Sequence, residues 1–151
     1  MKLNNMKTKI LLLVFLSFSA LCGYTQKATT KDDIDALRVT VMNKAMGLTT
    51  DEAGKFWPVY NDYLQKKDNL RKAHRQSMKT KYPTLDKMTD EEAGALIDSE
   101  LNYKQKELDL QKEMLKKLKL TIPIKKAALV FKAEEEFRRV LMTKVKESGG
   151  D

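Results

Sequence analysis

The stretch TTDEAGKFWPVYNDYL, residues 49 to 64, decides how this chain folds. Thr49 is a good helix N-cap, and Glu52 stands three positions on, where its carboxylate reaches back to the cap N–H. Phe56, Tyr60, Tyr63 and Leu64 follow at the spacing of one helix face, not at the alternation of a strand. Leu70, Ala73 and Met78 extend that stripe. The helix should end before Tyr82-Pro83, because the residue preceding a proline is pushed out of the helical region. Pro58 falls inside it. Proline offers no N–H to the carbonyl of Gly54, and its ring crowds that oxygen. A kink or curvature is expected there, eased by the glycine.

Outward from this segment the chain reads as four helices and no strand. Lys, Glu, Leu, Ala and Met dominate, all good helix formers. A first helix should run from about Lys31 to Met46, with Ile34, Leu37, Val41 and Ala45 on its apolar face and Gly47 as its stop. A third starts near Asp90, where Thr89 and Glu92 repeat the capping box. Its face is Leu96, Ile97, Leu101, Leu108, Leu115 and Leu118. Pro123 opens the fourth at the favoured first position, with Ile124, Ala127, Val130, Phe131, Phe137 and Leu141 as its stripe. Glu134 with Arg138, and Glu135 with Arg139, are spaced as i,i+4 pairs. The two long helices should each reach about 45 Å at 1.5 Å per residue. One neighbour cannot cover such a stripe fully. The expected fold is therefore all-α: an elongated four-helix hairpin with two long helices, paired as a homodimer that buries the rest.

The first 26 residues speak to location. Lys2, Lys7 and Lys9 precede an apolar run from Ile10 to Leu21, followed by Cys22, Gly23, Tyr24, Thr25 and Gln26. That order reads as a secretory signal peptide. The run is shorter than the ~20 residues that span a bilayer as a helix. Residues 27 to 151 are then one exported domain, expected in the periplasm. Lipid attachment at Cys22 is disfavoured by the bulky Leu21 before it. Without Cys22 no cysteine remains, so neither disulfides nor thiol chemistry is expected. The whole chain carries +8, and removing three leader lysines leaves +5. Anionic or acidic partners are favoured, including an anionic membrane surface, whereas export argues against nucleic acid.

Two basic clusters stand out. Lys66, Lys67, Arg71, Lys72, Arg75, Lys79 and Lys81 accompany one acid, Asp68. Lys67, Arg71 and Arg75 recur at i,i+4,i+8. Lys112, Lys116, Lys117, Lys119, Lys125 and Lys126 form the second, with Glu113. Each serves equally as a solvated helix face or as an electrostatic attractor. Adjacent Phe56 and Trp57 must face different ways round the helix, so one is core and the other partly exposed, where Trp57 offers an apolar contact. His74 is the single histidine. With Met78 beside it and no converging ligands, it does not make a metal site. No glycine-rich phosphate loop or nucleophile elbow is present, so neither an enzyme nor a cofactor is expected.

The two helix starts resemble each other: Leu48-Thr49-Thr50-Asp51-Glu52-Ala53-Gly54 and Met88-Thr89-Asp90-Glu91-Glu92-Ala93-Gly94. With a signal peptide and a small basic helical chain, this resembles the Spy/CpxP family of periplasmic proteins, which carry two Leu-Thr-x-x-Gln motifs at helix starts. Leu48, Thr49 and Glu52 align with the first motif, and Met88, Thr89 and Glu92 with the second. Glu replaces Gln in both, and Met88 replaces Leu. The run Phe56-Trp57-Pro58-Val59-Tyr60-Asn61-Asp62-Tyr63, with Lys125-Lys126-Ala127 and Phe137-Arg138-Arg139, is also similar to small exported Bacteroidetes-type proteins labelled sensors of extracytoplasmic-function sigma factors. The resemblance implies an antiparallel homodimer forming a curved cradle with a basic, partly apolar concave face. It implies an ATP-independent chaperone for unfolded envelope proteins, or a partner that modulates an envelope-stress pathway. Lys67, Arg71, Arg75, Lys112, Lys116 and Trp57 are the candidate binding residues.

Overall fold

A computed structural model describes residues 30–148. The leader, its cleavage region and Cys22 lie outside the described residues. The described chain is all-helical, with α1 Lys31–Met46, α2 Thr50–Lys81, α3 Asp90–Thr121, α4 Ile124–Ala128 and α5 Val130–Ser148. A 3-10 segment, Tyr82–Lys87, links α2 to α3.

Local chemistry sets these boundaries. Both expected capping boxes form: Thr49 and Thr89 accept from the N–H groups of Glu52 and Glu92, whose carboxylates take the cap N–H at 2.8 Å each. A third, Thr30 with Asp33, starts α1 and was not anticipated. Gly47 ends α1 in the left-handed conformation, φ 59°. Its N–H bonds Lys44 O, and that of Leu48 bonds Asn43 O, which satisfies two carbonyls that the helix end would strand. α2 passes through Pro58 unbroken.

The expected fourth helix is two. At Leu129 the backbone flattens to ψ −11°, and its N–H takes the carbonyl of Lys126 at 3.0 Å. That i→i+3 bond tightens one turn and separates α4 from α5. Pro123 sits at the N-cap, one position before the one expected.

α2 and α3 lie along each other, and α1 lies along α5. Between the pairs stands an aromatic column from α2. Phe56 and Tyr60 stack at 5.0 Å, Trp57 meets both edge-on, and Tyr63 continues the row. Met42 and Met46 of α1, Met114, Leu118 and Ile122 at the end of α3, and Ala127, Val130 and Ala133 complete the cluster. The core therefore occupies one end of the long pair. Farther along the α2/α3 seam, Met78 and Leu96 are buried outside that cluster.

Several expected stripes are displaced. Ile34, Leu37, Val41 and Ala45 are half-buried, and the fully buried α1 residues are Met42 and Met46. On α3, Ile97, Leu101 and Leu108 are exposed, while Met114 takes a core place. Ile124 and Phe131 are exposed as well. Arg139 pairs with Glu136 rather than Glu135, and Glu134 instead accepts the Tyr60 hydroxyl at 3.1 Å.

Phe56→Ala should cost about 3–5 kcal/mol in urea unfolding, as expected for an emptied aromatic core site. Ile97→Ala, on the exposed stripe, should stay within about 0.5 kcal/mol of the parent.

Candidate functional site

Direction around each helix follows from the seam. His74 of α2 meets Glu100 and Tyr103 of α3 across it, and Met78 and Leu96 are buried in the same half. One residue further along a helix turns about 100°. In an antiparallel pair, the flanks lying one residue after the seam positions fall on the same side. Trp57 is on that side, and its Nε1 donates to Asn43 of α1 at 3.1 Å. Asp68 is there too. Lys72 bonds its carboxylate and holds the carboxyl below its usual range, with a small contribution from Lys31 at the start of α1. The start of α1 thus lies near Asp68 on this side.

Beyond Asp68 the same side is bare. Arg75 follows His74 by one residue, and Ile97 and Leu101 follow Leu96 and Glu100. Ile97 is 61 % exposed, Leu101 59 % and Leu108 44 %. Their spacing of four and seven makes one stripe on α3. Arg71 and Arg75 face it from α2, and the charge of Arg71 reaches Tyr103 across the seam. The result is an apolar stripe edged by cations, next to the step where the α1/α5 cover ends.

The sequence-expected residues divide. Lys67, Arg71 and Arg75 run from the seam toward this side. Lys67 is half-buried, with Nζ 3.2 Å from the Tyr63 hydroxyl. Arg71 has a 3.6 Å contact with Asp68, and Arg75 has no acid partner among the described residues. Lys112 and Lys116 lie elsewhere. Each is two residues from buried Met114, on the outer side of α3. Lys112 contacts Asp109 at 3.5 Å. Trp57 is half-buried and packed in the core by Phe56 and Tyr60.

One lysine from each basic cluster meets the other on the opposite side of the seam, where both are neutralised. Lys66 and Lys117 both contact Asp62 and Glu113 at 2.8–3.3 Å. Lys66 and Lys117 hold the Asp62 carboxyl low, and Lys117 and Lys66 that of Glu113. These lysines stitch the hairpin together and are not available as a positive field.

Other positions were not legible beforehand. Lys126 of α4 donates to the carbonyl of Gly47 at 2.7 Å and to the Glu52 carboxylate. It joins the C-cap of α1, the capping box of α2 and the start of the C-terminal arm. The Lys126 ammonium, and next the Thr49 N–H, hold Glu52 below the usual carboxyl range. Burial, reinforced by Glu134, pushes the Tyr60 hydroxyl well up. In the outer half of the seam His74 stacks on Tyr103 at 3.9 Å and approaches Glu100 at 3.2 Å. Glu100 also accepts the Tyr82 hydroxyl at 2.6 Å. Met88, Glu92 and Leu96 help line a cleft of about 390 Å³ beside the α2–α3 link.

Among the described residues no three metal-capable side chains converge. No described helix is long and apolar enough to cross a membrane. No protein family, characterised protein or solved structure matches the chain.

The depressed carboxyls give a pH prediction. Such a group contributes stability that is whole above its unfolded pKa, about 4.5 for Glu52, and is lost as pH falls through the lower folded value. The melting temperature should hold from neutrality to about pH 5 and drop below it. Glu52→Gln keeps a capping side chain but cannot titrate, so its melts followed by circular dichroism should fall less steeply with acid. An unchanged slope would remove Glu52 from the account.

Proposed function

We propose that this chain is an exported, periplasmic, ATP-independent chaperone-like protein of the Spy/CpxP type, which binds unfolded or misfolded envelope proteins. The observation that carries this reading is the bare stripe of Ile97, Leu101 and Leu108, edged by Arg71 and Arg75. Large apolar side chains left contiguous at a surface mark interaction sites more often than they occur idly. Unfolded chains present apolar segments of no fixed shape. An open stripe suits them, whereas a closed pocket suits one small ligand.

The stripe supplies short-range attachment, and the cations along its edge, Arg75 above all, supply long-range attraction that speeds encounter. Neither holds a client tightly, which allows release without a nucleotide. Trp57 is committed to the core, so apolar contact passes to the α3 stripe. A second copy, antiparallel to the first, would set two such stripes on one concave surface. The similarity to proteins labelled sensors of sigma factors supplies a second reading, in which one envelope-stress protein docks on the same stripe.

The chain from Lys27 onward should suppress aggregation of an unrelated unfolding protein at near-stoichiometric ratios, and high salt should weaken it. Ile97→Ser with Leu101→Ser should reduce suppression several-fold with little change in melting temperature. Absence of suppression at low and high salt contradicts the chaperone reading and leaves the single-partner one.

A further inference from the structure

A second exposed apolar group lies at the opposite end of the hairpin, where α3 turns into α4. The chain reverses at Ile122-Pro123. Ile122 is buried and anchors the corner through its N–H to Leu118 O at 3.0 Å. On either side of it Leu120 is 82 % exposed and Ile124 64 %. Phe131, in the first turn of α5 just past the break at Leu129, is 49 % exposed. None of these three belongs to the core cluster.

The charge around them has one sign. From Met114 to Ala133 the sequence holds no aspartate or glutamate. Lys117 and Lys126 are engaged with Glu113 and Glu52. Lys116, Lys119 and Lys125 border the exposed residues, and no acid partner engages them among the described residues. The apolar side chains stand out from a chain reversal instead of lining a hollow. Such a projecting tip suits insertion among lipid headgroups better than capture of a peptide. Lysine stems can lie along the apolar boundary while their ammonium groups stay at the phosphates.

We propose that this corner is a peripheral docking tip for an anionic phospholipid surface. Leu120, Ile124 and Phe131 enter the boundary between headgroups and acyl chains, and Lys116, Lys119 and Lys125 engage the lipid phosphates. The site is separate from the Ile97–Leu108 stripe in sequence and place. A protein held at this corner would present the outer half of its hairpin away from the bilayer. The proposal does not depend on the client-binding reading, and it fails or stands in a different assay.

The test is flotation of the chain from Lys27 onward, which holds every described element and lacks the Ile10–Leu21 run that would itself bind lipid. The vesicles are phosphatidylethanolamine with a quarter phosphatidylglycerol, against pure phosphatidylcholine. The protein should float with the anionic vesicles at low salt, lose most of that binding at high salt and ignore the neutral ones. Leu120→Ser with Ile124→Ser should bind at least about tenfold more weakly with an unchanged melting curve, since both side chains are exposed. Equal binding to neutral vesicles, no binding to anionic vesicles, or full binding by the double variant would each overturn the proposal. So would retention on immobilised polyglutamate without vesicle binding, which would mark an acidic protein partner instead.

Discussion

The aromatic column of Phe56, Tyr60 and Tyr63 is the constraint on which the remaining structure depends. These rings leave α2 toward the space between the two helix pairs and fill it. Side chains this large keep α1 and α5 away from the α2/α3 backbones. Val130 and Ala133 of α5 are buried in the same cluster, and side chains this small allow α5 to lie close along α1. The chain therefore folds as two tight pairs with a thick aromatic and methionine filling. Methionines suit that filling because an unbranched thioether adapts to irregular gaps between rings. Lys126 then fixes the corner where α1, α2 and α4 meet.

Length turns this core into an asymmetric molecule. α2 and α3 hold 32 residues each, whereas α1 and α5 hold 16 and 19. The start of α1 lies near Asp68. Past that point the two long helices have only each other, and their seam changes character. Met78 and Leu96 are buried, but His74, Tyr103, Glu100 and Tyr82 supply much of the remaining contact. Ile97, Leu101 and Leu108 lie beside this thin seam with nothing above them. An apolar stripe is thus exposed by the mismatch in helix lengths. It does not arise from a loop or a strained backbone, and no described non-glycine residue has positive φ.

Much of the fold was legible in the sequence because caps and breakers act locally. Thr49 with Glu52, Thr89 with Glu92, and Gly47 set helix ends through hydrogen bonds within a few residues, and those ends stand where the sequence puts them; α2 likewise stops at Lys81, but Tyr82 keeps helical angles (φ −59°, ψ −38°) and the chain winds on through Pro83 as a 3-10 segment instead of leaving the helical region. The aromatic stripe was legible for the same reason. The faces of α1, α3 and α5 were less so. Leu and Ile at helical spacing mark a candidate face, yet which neighbour covers it is a tertiary matter. Ile97, Leu101, Ile124 and Phe131 fit their stripes and still lie exposed, because no described part of the chain packs over them. The pairing within the basic clusters was hidden for a related reason. Counting charges along the chain cannot show that Lys66 and Lys117 meet Asp62 and Glu113 across the seam. The signal in the sequence was present but divided between segments far apart.

Native-state hydrogen exchange, read residue by residue, tests the central claim that packing is confined to one end of the long hairpin. The account predicts strong protection for Phe56 to Lys66 of α2 and Met114 to Thr121 of α3. Amides from Arg71 to Lys79 and from Leu96 to Lys104 should open at distinctly lower free energy. Uniform protection along both long helices, in a chain shown to be monomeric, would contradict it. The outer half would then be as well supported as the core, and its bare stripe would need another explanation.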